Sequence, residues 1–163
     1  MRKLVVYYSL DGNTKFISEN IAQEISADIL ELKPVKEITR NNFMKIFSGG
    51  KQSMMKAEPE IQPFDLDPSS YDTIIIGTPV WAWTFAPALR TFFSKIELKN
   101  KQIGIFCCHG GGPGKIFEKM EKKLEGNTIL GKIGFKDPLK HEKEKDASEA
   151  KKWAREIIDS LSQ

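Results

Sequence analysis

The apolar residues of this chain follow two alternating spacings, one typical of strands and one typical of helices. Short apolar runs rich in β-branched residues predict strands that are buried on both faces, and the clearest example is Thr73–Gly77. The other runs are shorter or weaker but have the same character. The five predicted strands are Lys3–Tyr8, Ala27–Leu32, Thr73–Gly77, Gln102–Cys108 and Thr128–Phe135.

Between these runs, apolar residues recur every three or four positions, which is the spacing of a helix face. The face after the first strand consists of Ile17, Ile21 and Ile25. Pro87 is suited to the first turn of a second helix, where its missing N–H is not needed. A third helix is predicted over 116–124. A fourth is predicted from Asp146, because Glu149 stands three residues later and the pair resembles a capping box.

Strands that alternate with helices predict right-handed βαβ units and one mostly parallel sheet. We therefore expect a three-layer, doubly wound α/β fold, and the length suits a single domain over residues 1–163. The long connection Lys36–Ser70 interrupts the pattern. It is predicted to hold a short helix with Phe43, Met44, Ile46 and Phe47, followed by irregular chain. Loops of this length tend to be functional or disordered.

Composition and charge narrow the function classes. The formal charge of +3 comes from basic residues mixed with acidic ones, which indicates a solvated face and no nucleic-acid partner. The sequence shows no signal peptide or membrane span, so we expect a cytoplasmic protein with no membrane partner. Cys107 and Cys108 are adjacent and lack matching His ligands. They predict neither a long-range disulfide nor a zinc site, but small residues at the end of a buried strand.

Ligands of an open parallel sheet bind at the carboxyl ends of its strands, and three unusual segments follow predicted strands. The first is Ser9-Leu10-Asp11-Gly12-Asn13-Thr14, directly before a helix. Its hydroxyls, its inward-turning backbone amides and the positive helix end suit a phosphate dianion. A tight turn with Asn13 or Asp11 as the helix cap explains the same residues without a ligand.

The second segment, 77–85, contains Trp81, Trp83 and Phe85, and such an aromatic wall suits a planar heterocycle. The alternative is that one tryptophan packs beneath the following helix. The third segment, 108–114, has four glycines within 110–114 and exposes its backbone amides to a ligand edge. Its alternative is a flexible loop, in which His109 is a surface or hydrogen-bonding residue.

These three segments, in this order, resemble the flavin-binding loops of the flavodoxin family over nearly the whole chain. Residues 9–14 resemble the phosphate loop, usually hydroxyl-x-hydroxyl-Gly-Asn-Thr, and 77–83 resemble the second flavin loop. Residues 109–112 stand in the place of the third loop. The resemblance implies a short-chain, flavodoxin-like fold with strand order 2-1-3-4-5 and FMN as the cofactor at the switch point.

The resemblance also implies a role for each loop. The first loop holds the phosphate, with Ser9, Gly12, Asn13 and Thr14 as its main contacts. In the second loop, one tryptophan flanks the flavin ring, while the third loop lies along the pyrimidine edge. The implied cofactor-binding residues are Ser9, Leu10, Asp11, Gly12, Asn13, Thr14, Thr78, Pro79, Val80, Trp81, Ala82, Trp83, Cys108, His109, Gly110, Gly111 and Gly112. No catalytic residue and no metal ligand is predicted.

Three departures from the family pattern bear on function. Asp11 stands where the family usually has serine or threonine, and its charge is expected to reduce FMN affinity. The third loop lacks the aromatic residue that often covers the outer ring face, which predicts a more open flavin. The net positive charge contrasts with the acidic surface common among electron-carrier flavodoxins.

The leading functional prediction is an electron carrier between redox partner proteins, as a monomer or weak homodimer. The first alternative is an NAD(P)H-dependent FMN or quinone reductase with a substrate-shaping loop in 36–70. The second is an FMN-less binding module on the same fold, for which Asp11 is the main argument. A response-regulator receiver is excluded, because the first and third strands lack the acidic residues at their ends that it requires.

Overall fold

The computed structural model describes residues 1–37, 39, 41–42 and 58–162. A five-stranded parallel sheet lies at its centre, in the order β2-β1-β3-β5-β6, and a two-residue strand, β4, pairs antiparallel with the end of β3. Without β4, this is the predicted order 2-1-3-4-5. The strands are β1 Lys3–Tyr7, β2 Asp28–Glu31, β3 Thr73–Trp81, β4 Thr84–Phe85, β5 Gln102–His109 and β6 Thr128–Lys136.

The helices connect these strands and cover both faces of the sheet. The helices whose bounds lie within the described residues are α1 Asn13–Ile25, α2 Pro87–Lys95, α3 Ile116–Lys123 and α4 Lys143–Asp159, with short 3-10 turns at Pro68–Ser70 and Ser160–Ser162. Pro87 begins α2 at one of its first two positions, as predicted. No helix in the described part of the chain is long and apolar enough to cross a membrane.

The sheet separates two apolar cores. Ile74 and Ile76 of β3 point into one core together with residues of α2 and α3, whereas Ile75 points into the other with residues of α1 and α4. Successive strand residues face opposite sides of a sheet, so an unbroken isoleucine run can serve both layers. This three-layer arrangement confirms the predicted fold class and brings the carboxyl ends of β1, β3 and β5 to one edge.

Two details differ from the sequence-based expectations. The predicted capping box at Asp146 is wrong: α4 begins at Lys143, and Asp146 lies inside its first turns, nearly buried. Burial and the nearby carboxylates of Glu142 and Glu149 raise the pKa of Asp146. β3 runs four residues beyond the predicted strand and ends in the hairpin with β4. The predicted helix after Lys36 lies outside the described residues.

Candidate functional site

The loops after β1, β3 and β5 meet at one edge of the sheet and enclose two neighbouring clefts. The wider cleft has a volume of about 290 Å³ and is lined by Val80, Ala82, Trp83, His109, Gly110, Gly111, Gly112 and Gly114. The narrower cleft is lined by Asp11, Asn13, Pro79, Val80, Trp81, Cys108, His109, Gly110 and Asp137. Val80, His109 and Gly110 belong to both, so the two clefts adjoin.

The turn before α1 combines a positive helix end with two buried hydroxyls. Gly12 has a φ of 96°, a left-handed conformation that a side chain would strain, and it serves as the N-cap of α1. Ser9 Oγ is buried and has no hydrogen-bond partner, and the buried Thr14 Oγ1 has only the Cys108 thiol beside it. Most buried polar atoms in proteins are paired, so these two hydroxyls need an explanation. A bound anion supplies one, because the hydroxyls and the helix end would both contact it.

The side chain of Asn13 has a structural contact. Its Oδ1 atom accepts a hydrogen bond of 2.9 Å from the backbone N–H of Leu139, in the segment between β6 and α4. Asn13 is buried, and its own backbone N–H donates to Asp11 Oδ1 at 3.2 Å. The side-chain oxygen of Asn13 therefore joins the β1 loop to the β6 loop.

A strained two-residue hairpin presents one tryptophan to solvent. Ala82 and Trp83 connect β3 to β4 with φ values of 47° and 60°, as a type I′ turn requires, although neither is Gly, Asn or Asp. Non-glycine residues rarely hold this conformation, and such outliers cluster at ligand-binding sites. Lys119 Nζ donates a hydrogen bond of 2.9 Å to the carbonyl oxygen of Trp83 and so helps to hold the turn.

The two tryptophans have different environments. Trp81 is 4% exposed and belongs to the core, where its ring meets the ring of Tyr8 edge-on with centroids 5.5 Å apart. Trp83 is 61% exposed and lines the wider cleft opposite the glycine loop. A planar ligand in that cleft would therefore meet Trp83, whereas Trp81 is a core residue that borders only the narrower cleft.

Thr78 supports the hairpin from inside. Its buried hydroxyl donates to the carbonyl oxygen of Pro79 at 2.9 Å and accepts from the backbone N–H of Ala86 at 3.0 Å. Both hydrogen bonds are internal, so the Thr78 side chain holds the start of α2 against the end of β3.

The third loop contributes open backbone and one imidazole. A Cβ atom at Gly111 or Gly112 would meet nothing within 4 Å, so the loop leaves room for a ligand edge. His109 Nδ1 is buried without a hydrogen-bond partner. Burial lowers the pKa of His109, Asp137 opposes that shift and Lys136 adds to it. The net shift favours the uncharged imidazole of His109.

The cysteines behave as core residues. Both are free thiols and buried, and burial raises the pKa of Cys107 to about 12. Burial also raises the pKa of Cys108, and to a greater extent. A thiol that stays protonated is a poor nucleophile and a poor metal ligand. Cys108 borders the narrower cleft as a small apolar group.

The structure brings most of the predicted site residues together. Twelve of them line one cleft or the other: Asp11, Asn13, Pro79, Val80, Trp81, Ala82, Trp83, Cys108, His109, Gly110, Gly111 and Gly112. The other five line neither cleft: Ser9, Leu10, Gly12, Thr14 and Thr78. Of these, Ser9, Gly12 and Thr14 form the turn beside the narrower cleft, and Leu10 is 38% exposed.

Sequence reasoning missed two residues that line the clefts, Asp137 and Gly114. Asp137 follows β6 directly, so the rule that ligands bind at the carboxyl ends of parallel strands could have found it. Gly114 closes the glycine loop, and its Cα lies against the Trp83 ring, since a Cβ there would come within 3.6 Å of Trp83 Cδ1. The whole site suits a ligand with an anionic group beside a planar ring.

Comparisons with known proteins agree with this geometry. A flavoprotein from Lactobacillus acidophilus NCFM, solved in complex with FMN, has 25% sequence identity and a TM-score of 0.67 over 87% of this chain and 97% of its own. A protein from Bacteroides eggerthii DSM 20697 has 20% identity and a TM-score of 0.75 over 99% and 98% of the two chains. Megasphaera elsdenii flavodoxin has 21% identity and a TM-score of 0.57 over 94% and 98%. The sequence model of the flavodoxin family matches residues 2–157, and the chain therefore belongs to the flavodoxin family.

Proposed function

We propose that this chain binds one FMN non-covalently and carries electrons with it between redox partner proteins. The observation that carries the proposal is the pair of buried hydroxyls at the N-terminus of α1. Ser9 Oγ has no hydrogen-bond partner, and Thr14 Oγ1 has only the Cys108 thiol beside it. The phosphate of FMN offers acceptor oxygens to both, and the helix dipole favours its charge. The FMN-complexed flavoprotein from Lactobacillus acidophilus supports this choice of ligand.

The residues of the wider cleft suit the rest of the cofactor. Trp83 is largely exposed and lines this cleft, and the open backbone of Gly110–Gly112 can donate and accept hydrogen bonds along a heterocycle edge. When bound, FMN supplies the redox chemistry, and the protein orients it and controls its access to water. Cys107 and Cys108 stay protonated in the core, so the thiols take no part.

Three lysines stand close in the sequence to residues that line the clefts, and they would suit partners with acidic surfaces. Lys115 follows Gly114 directly, and Lys119 lies one helical turn further along α3, where it contacts the Trp83 carbonyl. Lys136 is the neighbour of Asp137 at the end of β6. Complementary charge raises the rate at which protein partners meet. We therefore infer partners that present carboxylates toward this edge.

Flavin binding tests the first half of the proposal. The purified chain, freed of bound cofactor, is titrated with FMN while flavin fluorescence and visible absorbance are recorded. We expect quenching that saturates at one FMN per chain. A chain that leaves FMN fluorescence unchanged at high micromolar concentration would contradict the proposal and favour a fold retained as a binding module.

One observation favours a second function, that of an NAD(P)H-dependent reductase. The exposed side of Trp83 and the empty space at Gly111 leave the cleft open to a small substrate. Mixing the FMN-loaded chain with NADH or NADPH separates the two functions. An electron carrier leaves the absorbance at 340 nm unchanged until a reductase is added, whereas a reductase oxidises the nucleotide by itself.

Thr14→Val is expected to weaken FMN binding by about one to two orders of magnitude, because a hydrogen bond to a charged group contributes about 1.5–3 kcal/mol. The free energy of unfolding of the cofactor-free chain should change by less than about 1 kcal/mol, since the Thr14 hydroxyl has only the weakly polar Cys108 thiol beside it. Thr73→Val is the matched control, because Thr73 Oγ1 is also buried, without a hydrogen-bond partner, but lies at the opposite end of β3. Equal FMN affinity in the two variants would contradict the assignment of Thr14 to the phosphate.

A further inference from the structure

Asp11 places a carboxylate at the N-terminus of α1. Its Oδ1 atom accepts a hydrogen bond of 3.2 Å from the backbone N–H of Asn13, the first residue of the helix. The first backbone amides of a helix have no partner within the helix and attract anions. In this chain, one of them already has an anionic partner that belongs to the protein.

A second carboxylate faces the same place. Asp137 lines the narrower cleft together with Asp11 and Asn13. Its backbone is fixed, because Asp137 has a φ of 38° and its N–H donates to the His109 carbonyl at 2.9 Å. Among the described residues that line this cleft, none is Lys or Arg. Burial lowers the pKa of His109, which weakens its ability to offset the two negative charges.

The neighbouring hydroxyls leave hydrogen-bonding capacity at the same turn. Ser9 Oγ and Thr14 Oγ1 are buried on either side of Asp11 in the sequence; the first has no hydrogen-bond partner and the second has only the Cys108 thiol beside it. Asp11 itself is exposed, so its side chain has room to turn toward solvent. The turn thus has two hydroxyl donors that do not contact Asp11 and one backbone N–H, that of Asn13, that already donates to Asp11.

We infer that the Asp11 carboxylate is an internal substitute for the cofactor phosphate and makes FMN an exchangeable ligand of this chain. This inference rests on the proposed function. Asp11 must leave the Asn13 amide before a phosphate can take that hydrogen bond, and its negative charge then stays near the phosphate. Riboflavin has no phosphate. The difference in affinity between FMN and riboflavin is consequently much smaller than the two hydroxyls would give without Asp11.

Removing the charge of Asp11 tests the inference. Asp11→Asn retains an oxygen that can accept from the Asn13 amide but removes the charge, and Asp11→Thr gives the residue type usual at this position in the family. We expect FMN to bind about tenfold more tightly to both variants, from the loss of one like-charge contact. Riboflavin, which is uncharged, should bind with unchanged affinity. The readout is the dissociation constant for each flavin, measured by fluorescence quenching at fixed ionic strength.

Asp67→Asn is the matched control. Asp67 makes the same local contact, since its Oδ1 atom accepts from the backbone N–H of Ser69 at 3.0 Å, but it caps the turn Pro68–Ser70 before β3. This substitution should leave both dissociation constants unchanged. Circular dichroism and the melting temperature establish that each variant is folded. If one of the two Asp11 variants does not fold, the other still tests the inference.

The outcomes separate this inference from the proposed function. Tighter FMN with unchanged riboflavin supports the role of Asp11. Unchanged FMN affinity in both Asp11 variants, or an equal gain for FMN and riboflavin, overturns that role while FMN binding itself stands. If neither flavin binds the native chain or any variant, the proposed function and this inference are both wrong.

Discussion

Gly77→Ala is expected to lower the free energy of unfolding by about 3 kcal/mol and the melting temperature by about 10 °C. Gly77 lies in β3 directly opposite Phe106 of β5. A Cβ atom there would overlap Phe106 Cζ and lie within 2.8 Å of two more ring atoms. The ring is fully buried and packs edge-on against Phe135 with centroids 6.4 Å apart, so it has little room to move. Thermal unfolding followed by circular dichroism measures the effect.

Two further variants isolate the cause of that loss. Gly134→Ala places a Cβ in an ordinary contact, with Cys107 Sγ and His109 each at 3.4 Å, and should change the melting temperature by only a few degrees. The double variant Gly77→Ala, Phe106→Leu should recover part of the stability, because the smaller side chain leaves space for the added methyl group. A Gly77→Ala chain as stable as the native one would show that the sheet adjusts around Phe106.

Most of the fold could be predicted because the spacing of apolar residues differs clearly between strands and helices in this chain. The isoleucine run of β3 and the four-residue spacing of Ile17 and Ile21 are strong periodic signals, and the structure has the predicted elements there. The site edge followed from a topological rule, since ligands of a parallel sheet bind where strands end. That rule needs only the elements and their order, and it brought the three loops together without any knowledge of their conformations.

The hairpin after β3 could not be predicted, because its sequence lacks the usual turn signals. A two-residue type I′ turn favours Asn-Gly or Asp-Gly, whereas this chain has Ala82 and Trp83. Pro79 also made a continued strand improbable from sequence, since proline donates no hydrogen bond to a sheet. The surrounding contacts determine the conformation instead, including the hydrogen bond from Lys119 to the Trp83 carbonyl.

The start of α4 and the position of Asp137 show a different limit. The spacing of Asp146 and Glu149 matches a capping box, but α4 begins three residues earlier, at Lys143. A motif of two residues is too short to determine at which residue a helix begins. Asp137 reaches the cleft because β6 ends beside β5 and its chain turns back at a φ of 38°. A local sequence pattern does not reveal contacts that depend on how neighbouring strands end.

Trp81→Ala is expected to destabilise the fold and to affect FMN affinity mainly through that loss. Trp81 is buried and contacts Tyr8 in the core, and truncating a buried tryptophan costs about 3–5 kcal/mol. The melting temperature should fall by about 10 °C. Trp153→Ala is the control for loss of a tryptophan elsewhere, because Trp153 packs against the core on the α4 side of the sheet. At a temperature where each variant is fully folded, both should bind FMN within about threefold of the native chain.

Trp83→Ala is expected to show the opposite result, with an almost unchanged melting temperature and FMN binding about tenfold weaker. Trp83 is 61% exposed, so its truncation removes little buried surface, yet its ring lines the wider cleft. Aromatic contacts contribute about 0.5–1.5 kcal/mol beyond the surface they bury, and the lost contact area adds to this. Trp83→Phe should restore most of the affinity, because the ring face returns without the indole N–H. If FMN bound equally well to the native chain and to Trp83→Ala, the ring in the cleft would not contact the flavin.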